Sequence, residues 1–192
     1  MSSILKFKSL STTYVDSGHA NQNFCENRNI FAGSFHRTSC SSVMFKSLIN
    51  FDLKELKPLP LSSAYLCLFV KDANSDTSYY SNNILSIYKN LEPFNTSNVT
   101  WNSSPCSDVP IHFAIEPGEV GKYIKINITP IVNSWLKNND NYGISIEANN
   151  FYSSLFKFAS INSNNPPLLF TQYKDIKYEY NDYNTLVNHS CR

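Results

Sequence analysis

The chain has 192 residues, of which 42% are hydrophobic, 14% aromatic and 16% charged. This apolar content excludes a disordered protein and the low charge excludes a coiled coil, so we expect a globular domain. The formal net charge of +1 disfavours nucleic acid and a membrane surface as partners. A net charge this close to zero also favours association between copies of the chain.

Hydrophobic and polar residues alternate in short segments along most of the chain, and Asn, Ser, Asp and Pro separate these segments. A period of two residues is typical of antiparallel strands. The pattern predicts strands at 5–15, 29–33, 44–53, 62–70, 84–90, 98–102, 122–128, 142–148, 155–160 and 167–173. Residues 64–70 are apolar on both faces, which predicts a central strand covered on both sides.

One helix is predicted at about residues 129–137. Thr129 suits the N-cap and Pro130 suits the first helical position. Its single apolar face consists of Ile131, Val132, Trp135 and Leu136. The predicted fold class is therefore all-β, an antiparallel β-sandwich with one short helix.

Residues 1–173 are assigned to this sandwich domain, and the polar, tyrosine-rich residues 174–192 to a C-terminal tail. Four residues are assigned to the core, namely Phe51, Cys67, Trp101 and Trp135. The tryptophans bring large apolar areas that would cover the ends of the sandwich. Cys67 lies in the middle of a predicted strand, which predicts a buried, unpaired thiol.

The remaining cysteines are Cys25, Cys40, Cys106 and Cys191, and their spacing excludes a zinc knuckle or ribbon. An odd count of five leaves at least one thiol free or paired between chains. The first residues contain no apolar run typical of a signal peptide, so we expect synthesis in the cytoplasm, where disulfides do not form during folding. Two interpretations of Cys191 stay open: after later oxidation it cross-links to Cys25, Cys40 or Cys106 of a neighbouring copy, or it is an incidental cysteine in a frayed tail.

Catalytic motifs such as H-E-x-x-H, G-x-S-x-G and a phosphate-binding glycine loop are absent from the sequence. Asp72, Asn74 and Asp76 match the first three ligand positions of a calcium loop. They are weak candidates, because Thr77 and Asn83 replace the glycine and the bidentate glutamate that such a loop requires. We predict no enzymatic activity, no cofactor and no tightly held metal.

Five stretches resemble, in order, the DNRLRE-type (disaggregatase-related) β-sandwich modules of bacterial and archaeal surface proteins. They are TTYVDSGHANQNF, SLINFDLKELKPLPLSSAYLCLFV, NVTWNSSP, INITPIVNSWLKNNDNYGISI and FASINSNNPPLLFTQY. The chain departs from the pattern at Phe24-Cys25, where Tyr-Gly is usual, and at Asn50, where Arg is usual. The resemblance implies a jelly-roll-like sandwich with a binding or structural role, and carbohydrate binding in some relatives.

Two functions of different class are considered. The favoured one is a non-catalytic structural subunit that assembles with itself or with other surface proteins into a filament or layer on a bacterial spore or cell surface. It rests on the low charge, the odd cysteine count and the tail. Residues 175–183 of the tail alternate as in an extra strand, which either folds back on an edge of its own sandwich or adds to an edge of a neighbour. The alternative is a carbohydrate-binding module that takes a polysaccharide. Tyr79 and Tyr80 would stack on sugar rings in that case, although exposed tyrosines also suit protein interfaces.

Overall fold

The structure, a computed structural model, describes residues 4–38, 41–75, 84–116, 118–148 and 154–174. These residues form ten strands, one α-helix and two short 3-10 helices, Ser17–His19 and Trp101–Ser103. The strands and the helix α1 are β1 Ile4–Asp16, β2 Asn29–Thr38, β3 Ser41–Phe51, β4 Leu61–Ser75, β5 Ile84–Lys89, β6 Ile111–Ala114, β7 Tyr123–Asn127, α1 Thr129–Asn138, β8 Ile144–Ala148, β9 Ser154–Ala159 and β10 Leu168–Tyr173.

The strands pair in antiparallel fashion in two sheets, which confirms the predicted all-β sandwich. Sheet A contains the first half of β1, then β10, the first half of β4, and β7. Sheet B contains β2, β3, β5, β6, β8 and β9, together with the second halves of β1 and β4. Among the described residues, no helix has the length and the hydropathy needed to cross a bilayer.

Two long strands pass from one sheet to the other. The pairing register of β1 shifts between Ser9 and Ser11, and that of β4 shifts between Val70 and Asp72. Irregularities of this kind let a strand bend around the corner of a sandwich. The two sheets are therefore connected by continuous strands at two corners.

The main core lies between the sheets and is built from alternate positions of each strand. In β7, for example, Ile124 and Ile126 are buried while Tyr123, Lys125 and Asn127 face outward. Fully buried side chains of this core include Leu66, Leu68, Ile146, Phe156 and Phe158. The alternation leaves one outer face on each sheet, and these two faces differ.

Helix α1 covers one end of the core with Ile131, Val132 and Trp135. It begins at Thr129, but Ile128 is the N-cap residue. Thr129 does not cap the helix because its Oγ1 accepts a hydrogen bond from the backbone amide of Ala64 at 2.8 Å. The threonine predicted as a cap therefore fastens the helix to β4.

The connection between β5 and β6, residues 90–110, lies over the outer face of sheet B. Val99 packs there against Val15 and Leu48, with Phe94 and Trp101 at the edge of this small cluster. The strand predicted at 98–102 is wrong, because this part of the chain crosses the sheet instead of pairing with it. Strand β6 has no counterpart among the predicted strands, since its alternation extends over only four residues.

Candidate functional site

The outer face of sheet A is not covered by any other described strand or helix. Its side chains come from alternate positions of four strands that lie side by side in the order β1, β10, β4 and β7. We call this surface the open face. Its members are Ile4, Lys6, Lys8, Ser63, Tyr65, Cys67, Phe69, Tyr123, Lys125, Asn127, Leu168, Phe170 and Gln172.

The strand register places four aromatic side chains of the open face in two pairs. Phe170 lies directly opposite Tyr65, and we call these residues the first pair. Further along β4, Phe69 lies opposite Tyr123, and in this second pair the ring centroids are 5.3 Å apart at an angle of 76°. All four side chains are partly exposed, Tyr123 the most at 38%. Each pair offers apolar ring surface to a ligand.

Lysines accompany the aromatic rings. The Lys6 Nζ lies 5.6 Å from the centroid of the Phe170 ring, and the Lys125 Nζ lies 5.1 Å from that of the Tyr65 ring. Both are within the range of a cation–π contact. Lys8 is a third exposed lysine here, and the open face has no acidic member. Its local charge is therefore positive although the chain as a whole is nearly neutral.

A shallow cavity of about 230 Å³ opens beside the first pair. Its walls combine the two aromatic rings with the Lys125 ammonium group, the Ser63 hydroxyl and the Gln172 amide. A few polar groups around an apolar surface are typical of a binding site for small or extended organic ligands. The open face therefore suits a ligand that has both apolar and hydroxyl-bearing surfaces.

Cys67 occupies the centre of the open face, between the two pairs. Its side chain is unpaired and only 3% exposed, and its cross-strand neighbours are Leu168 and Lys125. Burial raises the pKa of the Cys67 thiol, and the nearby lysines offset part of this rise. Burial also raises the pKa of the Tyr123 hydroxyl, which donates to the Pro166 carbonyl at 3.1 Å. Both groups are neutral at pH 7.

A second concave site, the polar pocket, lies beside the loop between β9 and β10. It has a volume of about 240 Å³ and is lined by Arg28, Lys71, Asn162, Ser163, Asn164 and Asn165. The Lys71 Nζ donates to the Asn29 Oδ1 at 2.8 Å. The same loop carries Pro166, which accepts the hydrogen bond from Tyr123. One loop therefore borders both the polar pocket and the second pair.

A third cavity, of about 500 Å³, lies beside helix α1. Most of its lining is apolar, including Phe51, Leu53 and Trp135. Asn141 lies at the polar rim of this cavity, and its amide already donates a hydrogen bond to the Phe51 carbonyl at 2.8 Å. This cavity matches a hydroxyl-rich ligand less well than the open face does.

Several site residues predicted from the sequence lie outside the described residues, namely Cys40, Asp76, Tyr79, Tyr80 and Cys191, and so does the side chain of Asn74. Asp72 is exposed and lies opposite Lys157 in the paired part of β4. The first position of the calcium motif thus belongs to a strand instead of a ligand loop. Within the described ranges, no group of three His, Cys, Asp or Glu side chains is placed to hold a metal.

Cys25 is partly buried and Cys106 is exposed, and both are free thiols, as is Cys67. Of the residues assigned to the core, Phe51 and Trp135 are 3% and 2% exposed. Trp101 differs from its prediction, because it lies partly buried over the outer face of sheet B instead of covering an end of the sandwich.

The open face was not predicted from the sequence. Residues 64–70 are apolar on both sides of the strand, and this pattern predicted a covering layer that no described element provides. The contrary signal lies in the neighbouring strands, where Lys6, Lys8 and Lys125 occupy outward positions. Exposed lysines around apolar outward residues are typical of a surface and not of a second core.

A family model for carbohydrate-binding module family 96 matches residues 3–173, which include every described strand and the helix. The chain belongs to carbohydrate-binding module family 96. The predicted membership of the DNRLRE-type family is therefore wrong. A search of curated proteins finds no match.

The DNRLRE-type prediction was wrong for a physical reason. The sequence stretches on which it was based contain residues that hold the sandwich together. The Thr12 Oγ1 accepts from the Ile161 amide at 3.0 Å, and the Asp16 Oδ1 accepts from the His19 amide at 2.6 Å. The Asn162 Nδ2 donates to the Cys25 carbonyl at 3.1 Å. Residues that fasten loops of a sandwich do not distinguish between families that share such a framework.

The family membership also overturns the favoured functional prediction. A self-assembling structural subunit of a spore or cell surface is not what a carbohydrate-binding module does. The alternative function, carbohydrate binding, is the one that the family supports. Modules of this kind are non-catalytic, which is compatible with the prediction that the chain is not an enzyme.

Proposed function

We propose that this protein binds a polysaccharide through the open face and performs no chemistry on it. The observation that carries the proposal is the presence of two aromatic pairs and three lysines on a sheet face that no described element covers. Membership of a carbohydrate-binding family supports the same function.

The chemistry of the open face matches the two kinds of surface on a sugar ring. The C–H bonds on one side of a pyranose form an apolar patch that packs on an aromatic ring such as Tyr65 or Phe170. The hydroxyl groups at its edge need hydrogen-bond partners, because leaving them unpaired in a contact is costly. Ser63, Asn127 and Lys125 place such groups beside the rings.

The charge of the open face favours an acidic polysaccharide over a neutral one. Lys6, Lys8 and Lys125 surround the rings without an opposing acid on the same face. Each exposed ammonium–carboxylate contact is weak, at about 0–1 kcal/mol, but a repeating acidic polymer makes several contacts at once. Binding to such a polymer is expected to weaken as salt is raised.

Affinity electrophoresis and calorimetric titration against a panel of soluble polysaccharides test this function. The panel includes neutral glucans and xylans together with polymers that carry carboxylate or sulfate groups, such as polygalacturonate. Tyr65→Ala and Phe170→Ala are each expected to weaken binding about tenfold, because each removes an aromatic contact surface.

Phe35→Ala is the matched control, since Phe35 is 46% exposed but belongs to β2 in the other sheet. This variant is expected to bind like the wild type, and circular dichroism verifies that all three variants are folded. The proposal is overturned if no polysaccharide in the panel binds, or if both open-face variants bind as tightly as Phe35→Ala.

A further inference from the structure

We infer that the open face binds an internal stretch of a linear polysaccharide lengthwise along β4, with the two aromatic pairs contacting sugar residues that are not adjacent in the ligand. This inference rests on the proposed function and adds to it the direction, the minimum length and the part of the ligand that is recognised.

The direction follows from the spacing of the pairs. Tyr65 and Phe69 lie on the same face of the same strand, four residues apart, which corresponds to about 13 Å. Within a pair, by contrast, the residues lie on neighbouring strands only about 4.8 Å apart. One sugar ring can contact both members of a pair, but a disaccharide is too short to reach from one pair to the other. A chain that uses both pairs must run along β4.

The row between the pairs is shaped for the passage of such a chain. From β1 to β7 it consists of Lys8, Leu168, Cys67 and Lys125, in neighbouring register positions. The central Cys67 is only 3% exposed and Leu168 is partly buried, whereas both lysines are exposed. The centre of the row is therefore low and its two sides carry ammonium donors. A sugar residue placed there meets hydrogen-bond donors at its edges and no ring that blocks its path.

The open face continues beyond both pairs. Past the first pair lie Ser63 and Gln172, with Ile4, which is 65% exposed, at the margin. Past the second pair, the loop that holds the Tyr123 hydroxyl also lines the polar pocket with Arg28 and Lys71. Polar groups at both ends suit further sugar residues, so the ligand is an internal stretch and not a chain end.

Oligosaccharides of increasing length test the inference. The probes are di- to octasaccharides prepared by partial acid hydrolysis of the panel polysaccharide that binds most tightly, and their affinities are measured by calorimetry. Affinity is expected to rise about tenfold or more between disaccharide and tetrasaccharide, because the second pair then comes within reach of the same molecule. Borohydride reduction of the terminal sugar is expected to leave the affinity of the octasaccharide unchanged.

Two variants at Tyr123 distinguish the contribution of the second pair to binding from that of the first pair. Tyr123→Ala is expected to abolish the rise in affinity with length while leaving the disaccharide affinity nearly unchanged, since a disaccharide still binds at the first pair. Tyr123→Phe keeps the ring and is expected to keep the rise, which distinguishes loss of the ring from damage to the fold. Phe35→Ala again serves as the control.

The inference is wrong if the disaccharide already binds as tightly as the octasaccharide, or if Tyr123→Ala weakens both ligands by the same factor. It is also wrong if reduction of the terminal sugar removes most of the octasaccharide affinity, because the site then recognises a chain end. These outcomes leave the proposed function intact, whereas failure of the parent polysaccharide to bind overturns the proposed function itself.

Discussion

The outer faces of the two sheets carry apolar residues, but among the described residues only the outer face of sheet B is covered by another segment. On sheet B, Val15 and Leu48 are completely buried because the connection between β5 and β6 lies over them. On sheet A, Tyr65 and Phe170 remain partly exposed among lysines. An outward apolar residue is thus structural where a described segment lies over it, and available to a ligand where no described segment does.

The cover on sheet B is fastened by specific hydrogen bonds. The Asn23 Nδ2, in the loop before β2, donates to the carbonyls of Thr96 and Val99 at 2.9 and 2.7 Å, and within the connection itself the Glu92 Oε1 accepts from the Cys106 amide at 2.8 Å. These bonds satisfy backbone groups that would otherwise lack partners where a loop crosses a sheet. The connection over sheet B therefore acts as a fixed layer of the fold.

The largest expected effect comes from a substitution under this cover. Leu48→Ala is expected to lower the free energy of unfolding by about 2–5 kcal/mol, since it removes a fully buried side chain and leaves a cavity. Urea denaturation measures the loss. Polysaccharide binding by the folded variant is expected to stay at the wild-type level, because Leu48 lies on the sheet opposite the open face. A loss of less than about 1 kcal/mol would show that the connection does not pack on sheet B.

Much of the fold follows from the sequence, because the period of two residues reports which side chains face the core. Ile124 and Ile126 are such a case, and the helix was located by its apolar face and Pro130. Periodicity could not tell whether a second apolar face is covered, because that depends on where a distant connection runs. A covering layer was predicted for both faces of residues 64–70, and no described element covers the outward one. Trp101 was predicted at an end of the sandwich but lies over sheet B.

For a related reason, the open face could not be predicted from individual segments of the sequence. Tyr65, Phe170 and Tyr123 lie far apart in the sequence and become neighbours only through the register of β4 with β10 and β7. Tyr79 and Tyr80 were predicted to stack on sugar rings because they lie together in one Asn- and Ser-rich segment of the sequence. A binding surface built across strands is therefore found only once the strand order is known.

Alkaline pH is expected to destabilise the protein in two stages, first through the Cys67 thiol and then through the tyrosines whose pKa is raised in both sheets. Burial raises the pKa of Cys67 and Tyr123 on the open face, and of Tyr14 and Tyr88 in sheet B. For an acid with a raised pKa in the folded state, the unfolded chain releases its proton first, so stability falls as pH rises. The fall begins at about pH 8.5 for a thiol and about pH 10 for a tyrosine.

Thermal unfolding between neutral and alkaline pH measures this dependence. Cys67→Ala is expected to remove the first stage and leave the second, whereas Tyr14→Phe is expected to reduce the second and leave the first. An unfolding temperature that stays constant or increases between pH 8.5 and 10 in the wild type would contradict the raised pKa of Cys67.

The smallest expected effect is a difference in reactivity between cysteines, and it tests the low centre of the open face. Alkylation requires an accessible thiolate. Cys106 is exposed, whereas Cys67 is 3% exposed and has a raised pKa, so iodoacetamide is expected to label Cys106 much faster in the folded protein.

A bound polysaccharide that runs along β4 covers Cys67 and slows its labelling further, while the labelling of Cys106 does not change. Mass spectrometry of peptides from timed reactions follows both sites in one sample, with Cys106 as the internal control. Equal rates for the two thiols would mean that Cys67 is not recessed between the aromatic pairs. An unchanged Cys67 rate in saturating polysaccharide would mean that the ligand does not pass over the centre of the open face.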